Sequence, residues 1–311
     1  MEKILITGGA GYLGSVLTNI LLKEGYAVTV YDNLLFKQNS LNNCCHYKNF
    51  DFIYGDINNH IEINNQIKLN DIIIPLAAIV GAPACEQNVE LTRQVNYDAQ
   101  INISKNISKN QLVIYPNTNS GYGIGKTDEF CDEDTPLKPI SLYGKLKVQI
   151  ERFFLDNNNA VTLRLATVFG VSPRMRTDLL VNDFVLKAVK DGYLILFEQN
   201  FRRNYIHIQD VARTFLFALN NFNLMKNNAY NVGLSSANLT KLELADAIKK
   251  HMPDLYIHSS DIKKDPDKRD YIVSNKKLEN LGWRPDFSLD DGIKELIKCY
   301  KFLEMHINKN I

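Results

Sequence analysis

The first half of the chain alternates short apolar runs with longer amphipathic stretches. The apolar runs are rich in β-branched residues and end at turn formers, which is typical of strands buried on both faces of a sheet. The predicted strands cover residues 3–7, 27–31, 50–54, 71–76, 111–115 and 160–166. The predicted helices cover residues 12–24, 59–68, 85–109 and 142–157. This alternation predicts an α/β fold, in which a parallel sheet carries helices on both faces.

The rhythm changes after residue 166. A loop-rich segment comes first, followed by a predicted helix over 180–190 and predicted strands over 203–207 and 229–232 on either side of a helix over 209–220. Thr240 and Glu243 have the spacing of a capping box, which predicts the start of a helix that runs to residue 251.

Three glycines follow the first predicted strand, and a carboxylate ends the second. Gly8 allows a tight turn, Gly11 allows the backbone to approach a pyrophosphate, and Gly14 allows close packing of helix on strand. Asp32 lies 18 residues after Gly14, where it can bind the adenosine ribose hydroxyls and would repel a 2′-phosphate. Because strand, glycines and spacing agree, the sequence predicts an NAD site rather than an NADP site.

Further positions follow the same predicted cofactor path. The helix after the glycines offers free N–H groups and a partial positive charge to the phosphates. Asp56 follows the third strand, where it fits either a contact to the adenine amino group or a helix cap. Residues 76–78 follow the fourth strand and are small enough for a cofactor to lie against their backbone. Besides Asp32 and the glycines, the predicted contacts are Tyr12, Leu13, Asn33, Asp56, Ile57, Leu76, Ala77 and Ala78.

A tyrosine and a lysine four residues apart form the second constellation. Tyr143 and Lys147 lie one turn apart on the same face of a predicted helix. A cation beside a phenol favours the phenolate, which predicts that Tyr143 acts as a general base toward a substrate hydroxyl. Thr118 and Ser120 stand in the polar loop after the fifth strand, at the sheet edge where ligands bind, and either hydroxyl can bond the reacting group.

Composition excludes several other classes. The 311 residues carry 36 Lys and Arg against 35 Asp and Glu, so no net field attracts nucleic acid. No apolar run is long enough to span a bilayer, and the N-terminus lacks a signal-peptide pattern. The five cysteines have no metal-ligand spacing, which predicts reduced thiols, no metal site and a cytoplasmic location.

These motifs, with residues 203–212 and 281–285, resemble the extended short-chain dehydrogenase/reductase family of nucleotide-sugar epimerases and dehydratases. The resemblance implies a Rossmann-type doubly wound sheet with a smaller mixed α/β lobe that binds the nucleotide sugar. The expected NAD-binding domain is 1–168 plus 204–232, and the expected nucleotide-sugar lobe is 169–203 plus 233–311. The family's hydroxyl residue lies four positions before a Tyr-Gly pair, which carries over to Thr118 because Tyr122 and Gly123 form that pair.

The resemblance also implies substrate contacts and a reaction. The 4,6-dehydratases of the family place Asp and Glu directly after the hydroxyl residue, whereas this chain has Asn119 and Ser120, which cannot do that acid–base work. What remains is oxidation at C4, in which Tyr143 takes the hydroxyl proton and NAD accepts the hydride. The implied substrate-binding residues are Thr118, Asn119, Ser120, Arg174, Arg176, Asn182, Arg203 and Arg269, among which arginines suit a diphosphate.

Within the family, stretches 115–125, 172–184 and 265–271 are most similar to GDP-D-glycero-α-D-manno-heptose 4-dehydrogenases of capsular polysaccharide biosynthesis. That similarity implies a GDP-sugar substrate, tightly held NAD, and 2-oxoglutarate as the compound that reoxidises NADH. The family also implies a homodimer or higher homo-oligomer, formed through helices 85–109 and 142–157. Two alternatives stay open: a 4-epimerase of the UDP-hexose type, and a noncatalytic NAD-binding regulator, against which the intact Thr118, Tyr143 and Lys147 argue.

Overall fold

The computed structural model describes residues 1–37, 39–126, 128–260 and 269–303. Of the stretch 265–271 that contributes to the resemblance, residues 265–268 lie outside these ranges. The strands are β1 (Lys3–Thr7), β2 (Ala27–Asp32), β3 (Phe50–Tyr54), β4 (Ile72–Pro75), β5 (Leu112–Thr118), β6 (Phe130–Cys131), β7 (Asn159–Leu165), β8 (Thr167–Phe169), β9 (Tyr193–Leu196), β10 (Arg202–His207), β11 (Asn228–Val232), β12 (Asn238–Thr240), β13 (Tyr256–Ser259) and β14 (Ile272–Val273).

The helices, which include several single turns, are α1 (Tyr12–Lys23), α2 (His60–Lys68), α3 (Ala82–Gln87), α4 (Val89–Arg93), α5 (Ala99–Asn106), α6 (Leu142–Asn157), α7 (Leu180–Asp191), α8 (Ile208–Asn220), α9 (Phe222–Met225), α10 (Lys241–Lys249), α11 (Lys276–Glu279) and α12 (Leu289–Cys299). A π-helical turn covers Gln94–Asp98, and 3₁₀ turns cover Asn42–Cys44 and Asn119–Tyr122. Among the described residues, no helix combines the length and the apolar character that crossing a membrane requires.

Seven strands form the central parallel sheet, in the order β11-β7-β5-β4-β1-β2-β3. Its inner strands, such as β1, β4 and β5, are almost continuously buried because helices cover both faces, as the apolar runs predict, whereas the edge strand β3 is only partly buried. The direction of strand addition reverses between β1 and β4, and the carboxyl ends of these neighbouring strands border a crevice. The predicted Rossmann-type doubly wound fold is therefore confirmed.

The strands outside the central sheet form smaller groups. β12, β10 and β8 make a three-stranded sheet, whereas β9 pairs with β13 and β6 with β14. The predicted capping box is present, since Thr240 and Glu243 exchange hydrogen bonds at the start of α10. Although β10 falls within the sequence range expected for the NAD-binding domain, it lies outside the seven-stranded sheet. The division into two lobes stays a prediction.

The prediction of a single helix over residues 85–109 is wrong. The chain instead forms α3, α4, the π-helical turn and α5. Asn88 interrupts the helix with non-helical backbone angles, φ −141° and ψ 85°, and its side chain accepts a hydrogen bond from the N–H of Leu91 at 3.0 Å. Asn96, in the π-helical turn, pairs with both main-chain polar groups of Ile79 at 2.8 Å. The two hydrogen bonds of Asn96 therefore fix the segment that follows β4, which lies directly beside the crevice.

Candidate active site

A cavity of about 490 Å³ occupies the crevice at the carboxyl ends of the central strands. We call it the cleft. Most of the residues that the sequence analysis singled out line it. They are Gly8, Gly11, Tyr12, Leu13, Gly14, Asp32, Asn33, Asp56, Ile57, Leu76, Ala77, Ala78, Thr118, Ser120, Tyr143, Lys147, Arg174, Arg176 and Arg269.

The glycine loop has the shape of a dinucleotide cradle. Gly8 has a φ of +72°, and a Cβ there would lie 2.6 Å from the backbone N of Ala77. A Cβ on Gly14 would lie 2.6 Å from the carbonyl oxygen of Gly8, so α1 approaches the loop more closely than any side chain permits. At Gly11, the N-cap of α1, the nearest atom to such a Cβ is 3.1 Å away. These residues fit the pyrophosphate of NAD.

Asp32 ends β2 at the rim of the loop. Its carboxylate accepts hydrogen bonds from the backbone N–H of Ala10 at 2.9 Å and of Leu34 at 2.8 Å. Burial raises the pKa of Asp32, while these two bonds and the charge of Arg174 oppose that rise. A carboxylate held in this way keeps acceptor capacity for the ribose hydroxyls of a dinucleotide.

The remaining predicted cofactor contacts surround the same end of the cleft. Asp56 accepts bonds from the Asn33 amide at 3.2 Å and from the backbone N–H of Asn58 at 2.8 Å. The sequence left open whether Asp56 caps a helix instead of contacting the adenine. The structure gives the N-cap of α2 to Asn59. Opposite Gly8, the Ala77 carbonyl accepts a bond from the Gln100 amide at 3.0 Å, which holds the 76–78 segment flat against the loop.

The other end of the cleft carries the hydroxyl cluster. Thr118, the last residue of β5, donates to the Ser120 hydroxyl at 2.9 Å and accepts from the Ser120 backbone N–H at 3.1 Å. The guanidinium of Arg269 donates to the same Ser120 hydroxyl. The structure therefore brings Thr118, Ser120 and Arg269 together with Tyr143 at one end of the cleft.

Tyr143 and Lys147 line the cleft from consecutive turns of α6. Burial raises the pKa of Tyr143 to about 12, a direction opposite to the one that the sequence analysis expected from the lysine, although Arg176 and Arg269 act to lower it. Burial also lowers the pKa of Lys147 to about 7, against the opposing charge of Glu151. Desolvation thus outweighs the local charges on both groups in the free chain.

Arg174 and Arg176 take different positions, although only one residue separates them. The Arg174 guanidinium lies 4.0 Å from the centre of the Phe36 ring and interacts with Asp32, at the adenosine end. Arg176 pairs with Asp178 at 3.1 Å and influences Tyr143, at the catalytic end. The expectation that both arginines reach the substrate therefore fits the placement of Arg176 better than that of Arg174.

Three predicted substrate-binding residues are absent from the described lining of the cleft: Asn119, Asn182 and Arg203. Asn182 is fully buried, accepts from the N–H of Gly170 at 3.0 Å and donates to the carbonyl of Arg176 at 2.8 Å. Its amide therefore holds the loop behind the cleft, and its predicted contact with the pyrophosphate stays a prediction. Arg203 is buried and donates to the carbonyl of Arg202 at 2.8 Å.

The sequence analysis missed a buried polar network beneath the catalytic end. Glu151 accepts hydrogen bonds from Asn117 at 2.5 Å and Thr162 at 3.1 Å and pairs with Arg164 at 2.8 Å. Glu151 and Arg164 are nine-tenths or more buried. The available signal was the spacing of Glu151, which continues the one-turn steps from Tyr143 and Lys147 along one face of α6.

Comparison with known proteins agrees with this geometry. A model of the NAD dependent epimerase/dehydratase family matches residues 4–233. The chain is 27% identical to a putative UDP-glucose 4-epimerase of Methanocaldococcus jannaschii over 308 residues, which cover 96% of this chain and 98% of the relative. It superposes with a TM-score of 0.82 on Thermus thermophilus UDP-glucose 4-epimerase in complex with NAD, at 23% identity and 96% and 99% coverage of the two chains. UDP-glucuronic acid 4-epimerase from Bacillus cereus, in complex with UDP-glucuronic acid and NAD, gives 0.85 at 24% identity, with 96% and 99% coverage.

Proposed function

The chain belongs to the NAD dependent epimerase/dehydratase family, and we propose that it oxidises the C4 hydroxyl of a nucleotide sugar. The proposed substrate is GDP-D-glycero-α-D-manno-heptose and the proposed product its 4-keto derivative, made for a capsular or surface polysaccharide. The similarity of stretches 115–125 and 172–184 to enzymes with that activity supports this choice. We further propose that 2-oxoglutarate reoxidises tightly held NADH.

Residues at the catalytic end have the chemistry for such an oxidation. When bound, NAD supplies the acceptor for the C4 hydride. Tyr143 takes the hydroxyl proton, Thr118 hydrogen-bonds the reacting oxygen, and Lys147 donates to the nicotinamide ribose. The positive charges of Arg176 and Arg269 already lower the pKa of Tyr143 against the effect of burial, which favours the base form that the reaction needs.

One observation carries the proposal: the described lining of the cleft has no carboxylate at its catalytic end. Its carboxylates are Asp32 and Asp56, both at the end that holds the glycine loop. Elimination of water across C5–C6 needs a carboxyl acid and base beside the sugar, whereas oxidation at C4 needs only the tyrosine as base and bound NAD as hydride acceptor. The site therefore supports a ketone as the product of the chemistry at this end.

A 4-epimerase is the second candidate, because several of the proteins that this chain resembles are described as 4-epimerases. It would use the same Thr118, Tyr143 and Lys147 but would return the hydride to the other face of the ketone. Dehydrogenase and epimerase therefore differ in the fate of the ketone.

Incubation with GDP-D-glycero-α-D-manno-heptose and excess 2-oxoglutarate separates the two. We expect release of a 4-keto product together with 2-hydroxyglutarate, measured by mass spectrometry and nuclear magnetic resonance. A parallel incubation with UDP-glucose should give no UDP-galactose. Formation of a C4 epimer without net redox change would support the epimerase and overturn the dehydrogenase. The Tyr143→Phe variant serves as the chemical blank in both incubations.

A further inference from the structure

The ammonium group of Lys147 lies over the aromatic ring of a second tyrosine, Tyr115. Its Nζ lies 4.0 Å from the centre of the Tyr115 ring, which belongs to β5. Both side chains are buried, with 5% and 1% of their surfaces exposed. An ammonium over the face of an aromatic ring is attracted by the ring's negative face, and the attraction grows when water is excluded.

The Tyr115 hydroxyl does not explain why a tyrosine is there. It is buried and has no hydrogen-bond partner among the residues that the structure describes. A buried hydroxyl without a partner costs free energy, so only the ring contributes to the contact. The ring also packs on Phe154, with 4.9 Å between the centroids, on the side of the core cluster rather than of the cleft.

A negative charge lies behind the lysine on the same helix. Glu151 is one turn beyond Lys147 on α6, and its charge opposes the effect of burial on the lysine. The hydrogen bond from Asn117 joins Glu151 to the end of β5, next to Thr118. Thr162 and Arg164 of β7 hold the carboxylate in place. Glu151 thus connects α6 with both strands beneath the catalytic end.

We propose that Tyr115 and Glu151 are positioning residues that favour the charged form of Lys147 against the effect of burial and direct its N–H groups toward the cleft. The ring covers one side of the ammonium, and no hydrogen bond to the lysine comes from the described residues, so the N–H groups that do not face the ring remain available to the cleft. The groups that face Lys147 are Tyr115 from β5 and, along its own helix, Tyr143 and Glu151. The effect on the charge of Lys147 is independent of the proposed function. Only its consequence for catalysis rests on that function.

The charge of Lys147 can be measured without any substrate. Lysine labelled with carbon-13 at Cε reports the titration of each amine by nuclear magnetic resonance, and the Lys147→Met variant assigns the signal. In the purified protein we expect this signal to titrate near neutral pH. Tyr115→Leu should move the midpoint down by about one pH unit, because removing a desolvated cation–π contact disfavours the ammonium. Glu151→Gln should move it in the same direction.

Two matched variants keep the test specific. Tyr115→Phe retains the ring and should leave the midpoint unchanged, together with the amount of NAD that copurifies. Phe154→Leu opens space in the same core cluster without touching Lys147, and it should also leave the midpoint unchanged. An unchanged midpoint in Tyr115→Leu, or equal shifts in Tyr115→Leu and Phe154→Leu, would overturn the proposal. Because no sugar is present, failure of the proposed reaction leaves this result intact.

Discussion

At the scale of single residues, the cleft shifts the pKa values of a partly buried tyrosine and a buried lysine away from their ordinary values. Burial holds Tyr143 as a neutral phenol and lowers the pKa of Lys147 to about 7. The spacing in the sequence predicted that Tyr143 and Lys147 act as a pair. It did not predict the directions of their pKa shifts, because spacing gives no information about how much water each group loses on folding. Glu151, whose charge opposes the effect of burial on Lys147, lies outside the Tyr-Lys motif.

Changing Tyr143 to Phe should separate binding from chemistry. The ring still fills its place in the cleft, so we expect copurified NAD to remain nearly unchanged. Turnover should fall by about 10²- to 10⁴-fold, because the proton of the substrate hydroxyl loses its acceptor. Steady-state rates and the absorbance of bound cofactor measure the two effects. Tyr54→Phe, on the exposed edge strand, is the matched control. Equal turnover in the two variants would remove Tyr143 from the mechanism.

Changing Lys147 to Met should make the chain more stable and less active. The folded-state pKa near 7 lies below the ordinary 10.5, so the unfolded chain binds more protons between those values. Lys147 therefore makes the free energy of unfolding rise with pH across that window and costs stability at its lower end. We expect Lys147→Met to raise the free energy of unfolding at neutral pH by roughly 1–3 kcal/mol and to flatten its pH dependence.

Urea unfolding at neutral and at alkaline pH measures this effect. The control is Lys145→Met, an exposed lysine on the same helix, which should change stability by less than about 0.5 kcal/mol. A Lys147→Met protein that is less stable than the wild type at neutral pH would contradict the assignment of a buried, desolvated ammonium.

At the scale of elements, the strands were the easiest part to predict. β1 and β4 lie where the apolar runs place them, because continuous burial leaves a continuous signal in the sequence. The prediction of one continuous helix over residues 85–109 was wrong because the break in this helix depends on a tertiary contact. Asn96 pairs with Ile79, and nothing near Asn96 in the sequence reveals that partner. Asn88, a residue that often caps helices, was the one local signal of the break.

The glycine loop allows a graded test of the packing of α1. Gly14→Ala places a methyl group 2.6 Å from the Gly8 carbonyl and from the Cα of Gly9, which are backbone atoms that cannot move aside. Gly11→Ala meets its nearest atom at 3.1 Å with a φ of −75° and needs only a small adjustment. We expect Gly14→Ala to lose most copurified NAD and Gly11→Ala to lose less. The reverse order would show that the loop does not bind the cofactor as argued.

At the scale of the whole molecule, segments distant in the sequence close over the glycine loop. The Tyr12 hydroxyl donates to the carbonyl of Gly170 at 2.7 Å, and the Ser172 hydroxyl donates to the carbonyl of Tyr12 at 2.6 Å. Arg174 continues from this segment and reaches Phe36 across the cleft. No local pattern predicts such a closure, because it joins residues that lie more than a hundred positions apart. The sequence consequently placed Arg174 on the substrate side.

This closure predicts that Phe36 and Arg174 slow the release of NAD as a pair. Phe36→Leu removes the ring from beneath the guanidinium, and a contact of this kind at a half-exposed site contributes about 0.5–1 kcal/mol, which is roughly a two- to fivefold faster release. If the two residues act through one contact, the double variant Phe36→Leu with Arg174→Leu should release NAD no faster than Arg174→Leu alone. Rapid dilution with a competing dinucleotide measures the rates, and Phe302→Leu, on an exposed surface, is the control. Fully additive single effects would mean that Phe36 and Arg174 act on the cofactor separately and that the cleft is not closed by their contact.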